Sequence, residues 1–290
     1  MPQVRLSAGP VDYGDTGGDG PVLVLVHGVA MAGSQWRGVV AELGRDHRCL
    51  TPTLPLGAHR TPMEPDADLS LWGIVRLLGE FLDVLDLTDV TLVGNDWGGP
   101  HWLVELGLAG RVSRVALVSC EAFDNLPPGL PGRVLGLSAR MPFGLQLAAL
   151  GMRVPPLRRL PVTYGWMAKR PVPADLLLSW MEPFRTSAGV RRDFRKYATT
   201  LPDSKSLLAQ MEALRTFDRP ALVVWAAEDK VMPQEHGTKL AELFPQGRLV
   251  LVEDSYTLVP LDQPVVLAGL LRRFTRAGTD RPTTESAAGA

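Results

Sequence analysis

The hexapeptide Gly94-Asn95-Asp96-Trp97-Gly98-Gly99 decides the fold of this chain. It follows the apolar run Val90-Thr91-Leu92-Val93, which has the composition of a buried strand. Glycines on both sides of Asp96 permit a sharp turn from a strand into a closely packed helix, with the central residue held in a strained backbone conformation. The pattern therefore predicts that Asp96 presents a nucleophilic carboxylate. In the alternative interpretation, Asp96 only caps the following helix.

Strands and helices alternate on both sides of this turn. Apolar runs at residues 21–26, 112–120 and 220–226 predict further buried strands, and residues 69–85 carry apolar side chains at helical spacing. Alternation of this kind predicts an α/β fold with a mostly parallel, doubly wound sheet and crossover helices.

The alternation stops after Glu121. Residues 122–215 hold proline-rich turns between helical stretches and no strong strand run, which predicts a helical insertion. The predicted organisation is therefore a core domain of residues 1–121 and 216–277 that carries this insertion as a cap. Residues 278–290 lack apolar periodicity, and we expect a disordered tail there.

Composition limits the class of partner and the compartment. The 290 residues are 46% hydrophobic, and 30 Lys+Arg against 31 Asp+Glu give a net charge of -1. The overall charge therefore predicts neither a nucleic-acid nor a membrane partner, which favours a small molecule as the ligand. The large apolar side chains of the insertion favour a hydrophobic substrate, and we expect a monomer or homodimer. Two cysteines, Cys49 and Cys120, are too few for a disulfide framework, and the N-terminus lacks an apolar signal segment. We expect a cytoplasmic protein.

The Asp96-Trp97-Gly98-Gly99 turn and the upstream His27-Gly28 pair resemble the α/β-hydrolase superfamily, in particular its branch of haloalkane dehalogenases and epoxide hydrolases. The resemblance covers residues 10–276, and it implies the α/β-hydrolase fold with a helical cap. It also implies that the Asp96 carboxylate displaces halide or opens an epoxide, giving an ester that water later hydrolyses.

The resemblance further assigns an oxyanion hole to the backbone N–H groups of Val29 and Trp97. The sequence departs from the family after His27-Gly28, where Val29-Ala30 replaces a pattern that often supplies a halide donor. The Trp97 indole N–H remains a candidate halide donor, and packing against the insertion is an equally good interpretation of this side chain.

The histidine that acts as base in the family has no counterpart in this chain. In Asp254-Ser255-Tyr256-Thr257, which matches the family's last catalytic loop, Thr257 occupies the histidine position. A threonine hydroxyl cannot take a proton from water near neutral pH. Asp229 matches the common position of the acid that orients the base, and Glu121 matches an alternative position. His101 is the nearest substitute base in sequence, but we expect its helix to carry it away from Asp96.

Three functions stay open at this stage. The chain is a hydrolase acting on an epoxide or alkyl halide, a non-hydrolytic lyase, isomerase or cyclase with Asp96 as general acid or base, or a ligand-binding pseudoenzyme. Tyr164, Tyr197 and Tyr256 are candidates for contacting substrate, because cap tyrosines protonate the epoxide in the family. The sequence has no metal-ligand spacing and no phosphate loop, so we expect neither a metal nor a cofactor.

Overall fold

A computed structural model describes residues 1–276 and 285–287 of the chain. Its strands form a single sheet in the order β1-β2-β4-β3-β5-β6-β7-β8-β9. The pairings of β1 with β2 and of β2 with β4 are antiparallel, and all others are parallel. The strands are β1 (Gln3–Leu6), β2 (Gly9–Asp15), β3 (Val22–Val26), β4 (Arg48–Pro52), β5 (Val90–Asp96), β6 (Val112–Cys120), β7 (Ala221–Ala226), β8 (Gly247–Val252) and β9 (Glu285–Ala287).

Helices cover the sheet and fill the segment between β6 and β7. The helices are α1 (Arg37–Leu43), α2 (Leu71–Val84), α3 (Gly99–Glu105), α4 (Gly129–Arg140), α5 (Gly144–Gly151), α6 (Ala174–Thr186), α7 (Ala188–Thr199), α8 (Ser204–Met211), α9 (Gln234–Leu243), α10 (Val259–Asp262) and α11 (Pro264–Arg276). We call residues 122–215, which hold α4 to α8 and no strand, the helical insertion. Its status as a separate domain stays a prediction.

The central strands form where the sequence is continuously apolar. Every residue of β5 and β7 is buried, as expected for strands covered by helices on both faces. Helix α2 begins after Ser70, whose hydroxyl accepts a hydrogen bond from the Gly73 N–H at 3.1 Å. The predicted α/β fold with a mostly parallel, doubly wound sheet is therefore confirmed.

Two apolar clusters pack on opposite faces of this sheet. One holds Phe81 and Trp102 and continues into the helical insertion through Phe194. The other joins Trp36 and Leu271, and helices α1 and α11 pack together there. No helix among the described residues has the length and apolar character of a membrane span.

A short segment of the C-terminal tail lies at the edge of the sheet. Residues 285–287 form β9, which pairs in parallel with β8, and disorder of the tail stays a prediction. The backbone groups of a sheet edge are unpaired and recruit such a segment without any apolar run to signal it in the sequence. The rest of the predicted tail lies outside the described residues.

Candidate active site

Asp96 lies at the end of β5, in the turn that leads into α3. Its φ of +66° is in the left-handed region that few residues other than glycine adopt. A side chain at position 94 would lie 2.5 Å from the Pro100 ring, and one at position 28 would lie 2.4 Å from Asp96 Oδ2. Gly94 and Gly28 therefore make room for the turn and for the carboxylate that it presents.

The Asp96 carboxylate is almost fully withdrawn from solvent. Its Oδ2 accepts a hydrogen bond from the Val29 N–H at 3.0 Å, whereas its buried Oδ1 has no hydrogen-bond partner among the described residues. Burial raises the pKa of Asp96 to about 7, the Val29 N–H opposes this rise, and the charge of Asp229 adds to it. Both protonation states of Asp96 are thus populated near neutral pH.

Glu121 follows β6, the strand next to β5, and its backbone N–H donates to the Asp96 carbonyl oxygen at 2.8 Å. Its buried Oε2 has no hydrogen-bond partner among the residues described. Burial, and then the charge of Asp96, raise the pKa of Glu121 well above its usual value. These two effects favour the protonated form of Glu121, whose carboxyl lines the same cavity as the Asp96 carboxylate.

Thr257 and Asp229 form a direct pair. The Thr257 Oγ1 donates to Asp229 Oδ1 at 2.7 Å, and the same oxygen accepts from the N–H groups of Val231 and Met232 at 2.9 and 2.8 Å. Burial raises the pKa of Asp229, and these hydrogen bonds oppose the rise. Thr257, at the position that the sequence resemblance assigns to the histidine, thus bonds only Oδ1 of the acid and has no basic nitrogen to offer to water. The buried Oδ2 of Asp229 has no hydrogen-bond partner among the described residues.

The two predicted oxyanion-hole donors do not converge. The Val29 N–H faces Asp96, but the Trp97 N–H donates to the Asn95 carbonyl oxygen at 2.8 Å. The Trp97 ring is fully buried, lies against Gly99 and contacts the Trp102 ring edge to face at 5.8 Å. This placement favours the packing interpretation of Trp97, because the ring fills the space left by a glycine and forms no part of the cavity wall.

A cavity of about 430 Å³ lies between the sheet and the helical insertion. Asp96, Glu121 and Val29 form its polar floor, and most of its remaining wall is apolar and comes from the helical insertion. Tyr164 and Tyr197 also line it, and the Tyr164 hydroxyl donates to the Ala30 carbonyl oxygen at 3.5 Å. Burial raises the pKa of both tyrosines, so both hydroxyls stay protonated and able to donate.

Tyr256 lies away from this cavity. Its ring is covered by the Lys230 ammonium at 4.3 Å, and its N–H donates to the Asp262 carboxylate at 3.1 Å. The bond to Asp262 turns the loop so that Thr257, and not Tyr256, points inward. The structure therefore does not bring Tyr256 together with Asp96, Glu121, Tyr164 and Tyr197.

His101 stays closer to the turn than its position on α3 suggested. Its Nε2 is 2.9 Å from the Glu121 carbonyl oxygen, and its Nδ1 is 2.7 Å from the Glu105 carboxylate. Both ring nitrogens are thus occupied by protein groups, and the ring is buried outside the cavity wall. His101 therefore lies outside the cavity that Asp96 lines, although α3 begins so close to Asp96 that its first turn still packs on the loop after β6.

A buried amide network behind Asp96 was missed by the sequence analysis. The Asn95 Nδ2 donates to the carbonyl oxygens of Thr257 at 2.7 Å and Val118 at 2.8 Å, and its Oδ1 accepts from the Gln35 amide. Gln35 in turn accepts from the Gly28 N–H at 2.9 Å. The network ties three site loops together, and its one sequence signal is a polar residue, Asn95, at the end of an apolar strand.

Residues 21–264 match the model of a family described as alpha/beta hydrolase fold, and the chain belongs to this family. A haloalkane dehalogenase variant of Agrobacterium tumefaciens is a structural neighbour, with a TM-score of 0.74 and 20% identity over 95% of this chain and 96% of that one. At this identity, the likeness is one of fold.

Curated relatives whose names state a reaction include haloalkane dehalogenases and a decarboxylase. Haloalkane dehalogenase 2 of Mycobacterium tuberculosis is 24% identical over 281 residues, which cover 92% of each chain. Cis-3-alkyl-4-alkyloxetan-2-one decarboxylase of Xanthomonas campestris is 27% identical over 288 residues, or 91% of each chain. A haloalkane dehalogenase of Mesorhizobium japonicum is 33% identical over 96 residues, and this match spans 30% of that protein. The chain is thus similar to enzymes of the haloalkane dehalogenase branch.

Proposed function

We propose that this protein is an enzyme in which Asp96 attacks a saturated carbon of a small apolar electrophile and forms an ester with it. The observation that carries the proposal is the placement of Asp96. It is held in a strained turn at the floor of an apolar cavity, with Oδ2 fixed by the Val29 N–H and Oδ1 free of protein partners among the described residues. A desolvated carboxylate oxygen in such a site is a stronger nucleophile than one in water.

The bond changes are those of a nucleophilic displacement. An electron pair of the Asp96 carboxylate forms the new C–O bond, and the bond from carbon to halide or epoxide oxygen breaks with its electrons on the leaving atom. An epoxide oxygen then needs a proton, which protonated Glu121 or one of the cavity tyrosines, Tyr164 and Tyr197, supplies. The cavity therefore holds a nucleophile for the attack and proton donors for the leaving oxygen.

Release of the ester is the step in which this chain departs from its hydrolase relatives. The Thr257 hydroxyl donates to Asp229, and the Trp97 N–H donates to Asn95, so the family's base and one oxyanion donor are both missing. Water attack on the ester is therefore slow here. A substrate that expels the Asp96 carboxylate by itself would complete the cycle without a base.

An oxetan-2-one is a substrate of that kind, and this favours a lyase as the second candidate function. Attack of Asp96 on the saturated ring carbon that is bonded to the ring oxygen breaks that C–O bond. The lactone opens to a carboxylate on the carbon next to the one that carries the new ester oxygen. Loss of CO₂ then places the electrons of the broken C–C bond in a C=C bond and expels the Asp96 carboxylate. The sequence balances without water, and the Xanthomonas relative is named for decarboxylating this ring.

The test is intact-protein mass spectrometry after incubation with a panel of epoxides and alkyl halides, with peptide mapping of any adduct. We expect a stable alkyl adduct on Asp96 in the native protein, none in Asp96→Asn, and diol or alcohol release once Thr257→His supplies a base beside Asp229. An adduct at another residue, or no adduct and no product from the native protein and Thr257→His, would reject ester formation with these substrates.

A parallel assay with a cis-dialkyl oxetan-2-one separates the two candidates. If the protein is a lyase, we expect the native protein to form alkene and CO₂, at a rate that Thr257→His does not raise. If it is a hydrolase, we expect the hydroxy acid instead. If a ligand binds but neither alkene, hydroxy acid nor adduct forms, the protein is a binding protein, and the proposed enzyme is rejected.

A further inference from the structure

Part of the helical insertion is strongly positive, although the whole chain is nearly neutral. Seven of the 30 Lys+Arg, and none of the 31 Asp+Glu, lie in residues 125–174. Lys169 and Arg170 pair with Asp254, but Arg133, Arg140 and Arg159 form no ion pair among the described residues. Arg133 and Arg140 are exposed and one heptad apart on α4, and the hydrogen bonds of Arg140 and Arg159 go to main-chain carbonyls. This face of the insertion is therefore strongly cationic.

The same face is apolar. Of the 15 large hydrophobic side chains exposed among the described residues, nine lie between Leu130 and Leu160. Phe143 is 69% exposed and Leu147 is 62% exposed. Phe143 also has a φ of +57°, so a strained turn between α4 and α5 presents the most exposed aromatic ring of this region. An apolar patch of this extent marks an interaction surface.

The patch surrounds the mouth of the cavity. Met141, Leu147, Leu157 and Leu160 line the cavity and are also exposed, so they form its rim. Asp96 lies on the floor of that same cavity. A ligand that leaves the patch therefore enters the space above Asp96.

We propose that the face formed by residues 129–160 docks on the surface of a bilayer rich in anionic phospholipid. Exposed apolar side chains with arginines around them match an interface that has acyl chains below and phosphates at the headgroup level. A second copy of the chain fits less well, because a two-fold contact through this face would bring arginine against arginine. Docking would place the cavity mouth against the membrane, from which an apolar substrate could enter directly.

Co-sedimentation with vesicles tests the proposal and needs no substrate, so its outcome is independent of the Asp96 chemistry. The probes are phosphatidylcholine vesicles with and without about one third phosphatidylglycerol. We expect binding to the anionic vesicles alone, weakened by added salt. Each unit of charge lost should weaken binding roughly fivefold, so Arg140→Glu should lower it about 25-fold.

Matched variants separate a specific face from general charge or hydrophobicity. Arg45→Glu reverses an exposed arginine on the core, and Val265→Ser removes an exposed apolar side chain from α11. We expect both to bind as the native protein does, whereas Phe143→Ser should weaken binding about tenfold or more. Since all four positions are exposed, thermal melts should show native folding.

Three outcomes would overturn the proposal. One is absence of binding to anionic vesicles, which would leave an acidic protein as the partner that the charge favours. Another is that Arg45→Glu and Arg140→Glu weaken vesicle binding equally, which would show that binding depends on the total charge and not on this face. The third is a dimer of the native protein in sedimentation velocity that Phe143→Ser dissociates, since that would show that a second copy covers the patch.

Discussion

At the scale of single residues, the buried carboxylate of Asp96 opposes folding. Its pKa in the folded state is about 7, against 3.8 for the free side chain, so the folded protein holds a proton that the unfolded chain has lost between these values. The free energy of unfolding therefore falls as pH rises from about 4 to about 7, by on the order of 4 kcal/mol at the upper end.

Asp96→Asn should accordingly be more stable than the native protein, because Asn keeps an acceptor for the Val29 N–H and carries no charge. We expect the gain to grow between pH 5 and pH 8 in urea unfolding. Asp66→Asn, at an exposed carboxylate, is the control and should show no such growth. A gain that is the same at both pH values would contradict the raised pKa. A loss of stability of this kind is expected where a buried carboxylate is kept for a reaction, as proposed for Asp96.

Thr257 gives a second prediction at this scale. Its hydroxyl donates at 2.7 Å to a carboxylate that also accepts two backbone N–H groups. Thr257→Val preserves shape but removes that donor, and it should lower the free energy of unfolding by about 1.5–3 kcal/mol, the range for a hydrogen bond to a charged group. Thr257→Ser keeps the donor and should lose less. Equal losses in the two variants would show that the hydroxyl contributes nothing.

The sequence predicted which residues form the candidate site better than it predicted what their side chains contact. The turn placed Asp96 correctly at the end of a strand, and the loop match placed Thr257 opposite Asp229, because both depend on short local patterns. The direction of the Trp97 side chain depends on Gly99, and the direction of the Tyr256 side chain depends on Asp262. Such side-chain choices are set by three-dimensional neighbours that no local pattern encodes.

At the scale of elements, buried strands were predictable and edge strands were not. Strand β7 is a continuous apolar run and β6 is mostly apolar, and the bounds of both agree with prediction to within one residue. Strand β1, at the sheet edge, and its neighbour β2 were missed because both alternate between more and less buried residues and have no such run.

Helix α7 is held on the core by one buried carboxylate, which gives a prediction for this element. Asp193 Oδ2 accepts from the Met63 N–H at 2.8 Å and lies 3.2 Å from His59 Nε2, and Oδ1 accepts from Arg192 at 2.9 Å. Asp193→Ala leaves these donors without a partner and should lower the free energy of unfolding by about 3–5 kcal/mol. Asp203→Ala, at the exposed cap of α8, should lose about 1 kcal/mol.

The pH dependence of the Asp193 effect follows from the same contacts. Burial alone would raise the pKa of Asp193, but its hydrogen bonds with His59, Met63 and Arg192 outweigh burial and hold the pKa below 3.8. A lowered pKa stabilises the fold above the unfolded value and loses this effect as pH falls through the folded one. The difference between native protein and Asp193→Ala should therefore narrow below about pH 4. A difference that widens there would contradict the assignment.

At the scale of the whole molecule, the cavity joins the sheet to the helical insertion. Its floor belongs to the loops after β3, β5 and β6, and most of its wall belongs to residues of the insertion. An apolar ligand that fills about 430 Å³ between them would contact both parts at once. Because such a ligand binds only the assembled form, it should stabilise the native state by about 2.7 kcal/mol at a hundred times its dissociation constant.

Hydrogen exchange measures where that stabilisation appears. We expect a bound ligand to slow amide exchange in α4, α5 and α7 as well as at the end of β5, since opening the insertion would release it. Ala148→Trp, which places an indole in the cavity wall, should abolish this protection, and Ala188→Trp, on an exposed turn of α7, should leave it intact. Protection confined to the core strands would mean that the insertion opens freely over an occupied site. Protection of both parts would mean that ligand binding and closure of the insertion are one event, so that opening of the insertion controls access to Asp96.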